Sequence, residues 1–301
     1  MNPAFAGTST TPQFNINSRI QWPGFGTPYK SFSLGYSQFF QNIESGVGFY
    51  MNGDDSGNGT LKHLEIGGAY MYRMRLSKNI QMRIGLEIGI DQYSLDWNKL
   101  LFSDQIDSAN GPILFNGVII SSDELQPESL SKTNIDIGTG LLVFSNRWYS
   151  GLSIKHLNSP NYGFAEKTNS SEVGQPILIN FHLGHQLILQ QGNNRNKATF
   201  LSPSLILAKQ GNFYQVNLGV HAQIRNLLTG VYARHTVRNQ DSLIFAFGYA
   251  LDKLKLSYSF DMTISSLNLS SGGSHEVGVL ISLDKIGKEK SKLNDCFMLF
   301  R

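Results

Sequence analysis

The most constraining feature of this chain is a strict two-residue alternation, sustained over runs longer than an ordinary strand. Residues 80–91 place Ile80, Met82, Ile84, Leu86, Ile88 and Ile90 on one face. The other face carries Gln81, Arg83, Gly85, Glu87, Gly89 and Asp91. Residues 64–76 repeat the pattern, with Leu64, Ile66, Gly68, Tyr70, Tyr72, Met74 and Leu76 opposite Glu65, Gly67, Ala69, Met71, Arg73 and Arg75. Successive side chains of a strand point to opposite faces, so each run has one apolar face and one polar, glycine-containing face. A typical strand has about 5–6 residues, whereas about 9–11 tilted residues cross a bilayer.

Read throughout, the alternation predicts about fourteen strands, at 12–21, 29–41, 44–52, 61–76, 79–95, 133–144, 147–156, 176–190, 198–209, 212–225, 228–237, 241–251, 253–264 and 274–284. The gaps 21–29, 52–61, 95–133, 156–176 and 264–274 include several long, polar ones. The alternate gaps, around Gln41-Asn42, Ser77-Lys78, Ser145-Asn146, Arg225-Asn226 and Leu251-Asp252, are short; the polar 190–197 stretch is the exception. Long loops at one end and tight turns at the other are the asymmetry of outer-membrane barrels. The expected fold is an all-β, transmembrane, antiparallel up-and-down barrel. Its parts are an N-terminal periplasmic segment (1–11), a barrel (12–284) with long outer loops at 97–132 and 157–175, and a basic periplasmic tail (285–301). The 97–132 segment has room for a short helix. A soluble sandwich has shorter strands, a propeller would show a blade repeat, and closure removes exposed edges.

Composition narrows the function classes. Charged residues are 16% of the chain, against about 25% in soluble domains. No apolar run approaches the ~20 residues of a spanning helix. A net charge of +3 without a basic stripe argues against nucleic acid. A single cysteine, Cys296, excludes an internal disulfide framework. The start, Met1-Asn2-Pro3-Ala4, has no basic or apolar leader. That fits either an intracellular chain or a processed one.

If the apolar face meets lipid, the strand charges point inward: Glu65, Arg73, Arg75, Arg83, Glu87, Asp91, Asp136, His221, Arg234, Lys255, Asp261 and Glu276. Both signs are present. They form either paired ladders that stiffen the interior or the lining of a polar conduit or docking surface. The aromatics Trp22, Tyr29, Tyr50, Trp97, Trp148, Tyr149, Tyr162 and Tyr258 lie near strand ends and are expected to form an interfacial girdle. An arginine on the lipid face costs about 2–4 kcal/mol at the midplane. Ile84→Arg or Ile88→Arg is therefore expected to disrupt assembly, and Gly85→Ala to matter much less.

No catalytic, cofactor or metal constellation emerges. His182 and His185 fall on opposite strand faces, as do Ser274 and His275. The acidic loop at Asp54-Asp55 and Asn58 lacks calcium-loop spacing.

The two ends carry a family resemblance. Asn2-Pro3-Ala4-Phe5-Ala6-Gly7 resembles the "NPAxAG" element that follows the signal peptide in the PorP/SprF family. Ser271-Gly272-Gly273-Ser274-His275-Glu276-Val277-Gly278 resembles that family's C-terminal "SGGSHE(I/V)G" motif, and Asp295-Cys296-Phe297 its "CPxF" tail, with Phe297 where proline is usual. The resemblance implies a Bacteroidetes outer-membrane barrel of the type IX secretion and gliding-motility apparatus. It implies as partners the C-terminal domain of a large secreted adhesin, other secretion and gliding components, and the lipid bilayer. It implies no enzymatic activity and no cofactor, and it accounts for the absent leader. The residues leave open whether the N-terminal segment meets periplasmic partners or enters the lumen. They also leave open a channel or transporter for small or hydrophobic solutes.

Overall fold

Alternating runs of this length leave two faces that must be satisfied separately, and in the computed structural model a closed barrel does so. The structure describes residues 2–107, 109, 111–164, 174–191, 198–237, 242–251, 253–264 and 269–283. The barrel strands are β1 (Gln13–Gln21), β2 (Tyr29–Phe40), β3 (Ser45–Ser56), β4 (Leu61–Arg75), β5 (Gln81–Leu95), β6 (Ser131–Phe144) and β7 (Trp148–Lys155). β8 is Leu178–His185, continued past Gln186 as Leu187–Gln190. β9 (Thr199–Gln210), β10 (Phe213–Ile224), β11 (Leu227–Thr236), β12 (Ser242–Ala250), β13 (Leu254–Thr263) and β14 (Ser274–Ser282) complete it. Each strand pairs antiparallel with its sequence neighbours. β14 pairs with β1 in the register Arg19↔Glu276, which closes the ring.

The apolar face points outward. Leu86, Ile88 and Ile90 are more than half exposed, while Arg83, Glu87 and Asp91 between them are buried. Apolar surface turned out all round, over strands of up to 15 residues, is a lipid-facing band. Tight turns close one end. At Leu76–Ile80 the amides of Leu76 and Ser77 donate to the Ile80 carbonyl, and at Ser145–Trp148 the Ser145 amide donates to the Trp148 carbonyl.

The other end carries the longer loops, with two differences from expectation. β3 runs on to Ser56, so the expected 52–61 loop shrinks to a turn at 57–60. Asp54 faces His63 and Asp55 faces Lys62 across the pair, and Asp55 accepts the Gly59 amide, so opposite charges extend the hairpin. Segment 97–132 holds two 3-10 turns and two short hairpins (Ile106–Asp107 with Gly111–Pro112, Leu114–Phe115 with Val118–Ile119) rather than an α-helix.

Candidate functional site

Residues 2–11 do not hang below the barrel. They form a strap inside it, at the tight-turn end. Asn2 caps a single 3-10 turn, Pro3–Phe5, its side-chain oxygen accepting the Ala4 amide at 2.9 Å, with proline at the first helical position. The Asn2 amide nitrogen lies 3.1 Å from the Leu141 carbonyl, 3.2 Å from that of Leu152 and 3.2 Å from His182 Nε2. One side chain thus ties the strap to β6, β7 and β8. Ala4 packs with Leu142, Phe144 and Tyr149, and Phe5 lies against Tyr149 and His182. Ala6 packs with Phe39 and Met71. Gly7, in the left-handed region at φ +66°, donates to Ser37 Oγ, and the Ser9 carbonyl accepts the Phe39 amide. The buried apolar clusters of the described residues therefore lie under this strap.

The wall is shaped to receive it. A Cβ on Gly85 would sit 2.7 Å from the Pro3 carbonyl oxygen and closer still to the Ala4 nitrogen. One on Gly140 would overlap the Asn2 amide. The expectation that Gly85→Ala matters little is thus overturned, because the polar, glycine-containing face is where another piece of backbone approaches.

Above the strap, the inward charges form two networks. On one wall Lys155 Nζ lies 2.8 Å from Glu65 and 3.3 Å from Glu87. Tyr50 and Asn52 donate to Glu65. His63 bridges Asp54 and Asp91 at 3.3 and 3.1 Å, and His156 pairs with Asp136 at 3.1 Å. Loop residue Tyr162 reaches in to donate to Asp91 at 2.8 Å. On the facing wall Arg19 and Arg234 converge on Asp261 at 3.1 and 2.7 Å, and Arg19 also reaches Glu276 at 3.4 Å. Arg73 pairs with Glu44 at the rim. Arg83, with no exposed surface, lies over the rings of Phe39 and Phe144. Lys255 is buried on β13, Arg75 is exposed at the rim, and His221 lies 3.4 Å from the Tyr232 hydroxyl.

The sequence reading did not single out Arg19, His63, Lys155 or His156, which sit near strand ends where alternation is a weak guide. Four residues of the expected girdle belong to the lumen instead, among them Tyr29, whose hydroxyl donates to Asp54. Tyr50 donates to Glu65, Tyr149 packs on Ala4, and Tyr162 donates to Asp91. The carboxylates of Glu65, Asp91 and Asp136 approach within 4.8 Å of one another, but each already has a basic partner.

The C-terminal motif seals the seam. Ser271–Gly273 packs on the β1–β2 loop, where the Trp22 amide donates to the Gly273 carbonyl at 2.8 Å. Ser274 is buried, and His275 faces outward to Tyr258 at 2.8 Å. Glu276 turns inward to Arg19. Cys296 and the basic tail 285–301 lie outside the described residues.

Comparison with known proteins follows these features. The family model for the type IX secretion system membrane protein PorP/SprF matches residues 1–281. The chain belongs to the PorP/SprF family. No curated protein matches it in sequence. Among solved structures it is similar to the toluene transporter TbuX of Ralstonia pickettii, with 10% identity and a TM-score of 0.51, over 93% of this chain and 91% of that one. The monoaromatic hydrocarbon channel CymD is 12% identical with a TM-score of 0.47, over 94% and 92%. A porin variant of Rh. blastica is 9% identical with a TM-score of 0.37, over 91% and 99%. At such identities the likeness is one of fold. This PorP/SprF member thus has the fold of outer-membrane barrels, with its N-terminal Asn2–Gly7 segment held in the lumen.

Proposed function

We propose that the protein is a non-enzymatic outer-membrane barrel that binds the C-terminal secretion domain of a large type IX cargo, a surface adhesin, and supports its secretion and anchoring. The observation that supports this reading is the occupied inner wall, where a buried strap and ion pairs line the lumen. The strap lies along the tight-turn end on Gly85 and Gly140, ion pairs line the middle, and Tyr162 enters from the loop end. Such an interior differs from the open, water-filled lumen of a porin, which supports placing the function on the loop end. There the 97–132 loop presents an apolar hairpin, with Leu114 59%, Phe115 72% and Val118 68% exposed. Exposed apolar surface on a loop is the usual mark of a partner. In this reading 97–132 and 157–175 form the docking platform, residues 165–173 of the second loop lying outside the described residues.

The test is a mild-detergent pull-down of the tagged protein from its native membranes, with mass spectrometry of the eluate. A stoichiometric giant surface protein, lost when Phe115 and Val118 become serine, is the expected result. A lone barrel from cells that express the cargo would instead favour the channel reading.

A further inference from the structure

We propose that the tight-turn rim binds anionic phospholipid headgroups through Arg75, Lys78, Arg147 and Arg225. The inference rests on the membrane-barrel fold and not on any cargo. All four residues are exposed, and none has a side-chain hydrogen bond or ion pair among the described residues. Glu44, the acidic residue described on this rim, is already paired with Arg73. Lys253 also lies here, with Asp252 beside it in sequence.

Position identifies the ligand. The cations stand at the level where the lipid-facing band ends. Arg75, the last residue of β4, has the inward parity of Arg73 but is exposed at the rim, and Leu76, 57% exposed, follows it. Trp148 follows Arg147, and the exposed Ile224 and Leu227 flank the turn of Arg225. Basic side chains at that level reach the phosphate layer while their stems cover hydrocarbon. Arg225 is telling because its φ is +55°, a conformation that glycine or asparagine adopts more easily in a two-residue hairpin turn. What the position keeps is a guanidinium, not a convenient backbone.

The cations sit on three separate turns, β4–β5, β6–β7 and β10–β11, spread round the rim. A lipid annulus meets all of them at once, whereas an acidic protein would select one side. The loop end has the opposite character, with Asp104, Asp107, Asp123, Glu124 and Glu128 in one outer loop. Near an anionic leaflet each exposed cation contributes roughly a fivefold gain in local affinity, and salt weakens it.

The experiment is native mass spectrometry of the full chain in mild detergent with equimolar phosphatidylglycerol and phosphatidylcholine. Wild type should retain several-fold more phosphatidylglycerol, and the preference should fall at 0.5 M salt. Replacing Arg75, Lys78, Arg147 and Arg225 by glutamine should bring retention near parity. A loop-end control, Lys30→Gln/Lys62→Gln/Lys209→Gln, should keep the preference. Heat-modifiable gel migration checks folding; if the rim variant does not fold, single Arg75→Gln and Arg225→Gln variants replace it. Equal retention by wild type, or an undiminished preference in the folded rim variants, overturns the proposal. Because no cargo is present, the outcome is separate from that of the adhesin reading.

Discussion

At the scale of single residues, Gly85 and Asn2 show how much of the lumen is settled by small groups. Gly85→Ala pushes a methyl group into the backbone of Pro3 and Ala4, where neither strand nor strap can swing aside. Overpacking of this kind costs about 1–3 kcal/mol, so the heat-modification temperature of the folded barrel should drop. Gly35→Ala, whose new carbon would have no neighbour nearer than 3.7 Å, should leave it unchanged. Asn2→Ala removes a side-chain donor from the part-buried Leu141 and Leu152 carbonyls, a loss of about 1 kcal/mol per bond. Equal temperatures for Gly85→Ala and Gly35→Ala would show that the strap does not bear on the wall. Alternation identified which faces Ile88 and Glu87 occupy, because a period of two is a local property. It was silent on the strap, which is a long-range contact. The signal was present all the same, in glycines that recur on the inward face at one end of β3, β5 and β6.

Elements differ in how far their neighbours can be read from sequence. Strand positions were legible nearly throughout, since each strand needs lipid on one side and polar partners on the other. Loops were not, because charge pairs set their ends, as Asp54 and Asp55 do for β3. Two predictions belong here. Lys155 on β7 is the ammonium between Glu65 on β4 and Glu87 on β5. Lys155→Met leaves two buried carboxylates without it, and removing one partner of a buried pair costs about 3–5 kcal/mol. The variant should fold poorly, and a second change, Glu65→Gln, should restore much of the loss. Failure of that rescue would mean that Lys155 acts through packing. In the β5–β6 loop, Asp104 accepts the Asp123 amide at 2.7 Å and the Ser122 hydroxyl at 2.8 Å. The Asp123 amide first, and then the Ser122 hydroxyl, hold its carboxyl below the usual aspartate range. A depressed value means the clasp is intact above an unfolded pKa of about 3.9 and loosens as pH falls through the folded one. The protection factor of the Asp123 amide, its exchange rate relative to the intrinsic rate at the same pH, should fall at low pH, and that pH response should be lost in Asp104→Asn.

For the whole molecule the question is whether a barrel of fourteen strands conducts. Width alone would permit it, since barrels of this kind range from filled interiors to open pores. Here the Asn2–Gly7 segment ties β2 to β8 along one side of the tight-turn end, and a loop side chain is anchored to Asp91 from the other. Planar-bilayer recordings of the intact protein should therefore show no steady unitary steps. Removal of residues 2–11 withdraws the strap while the strand register of β1 with β2 and β14 persists. That variant, once its heat-modifiable migration shows a folded barrel, should conduct or flicker open. A steady conductance in wild type, unchanged by the deletion, would mean that the strap crosses the lumen without closing it, and the balance would return to a channel. A silent wild type with a conducting deletion would instead tie the family's N-terminal element to the seal. Partner binding would then be sought on the loops, not through the pore.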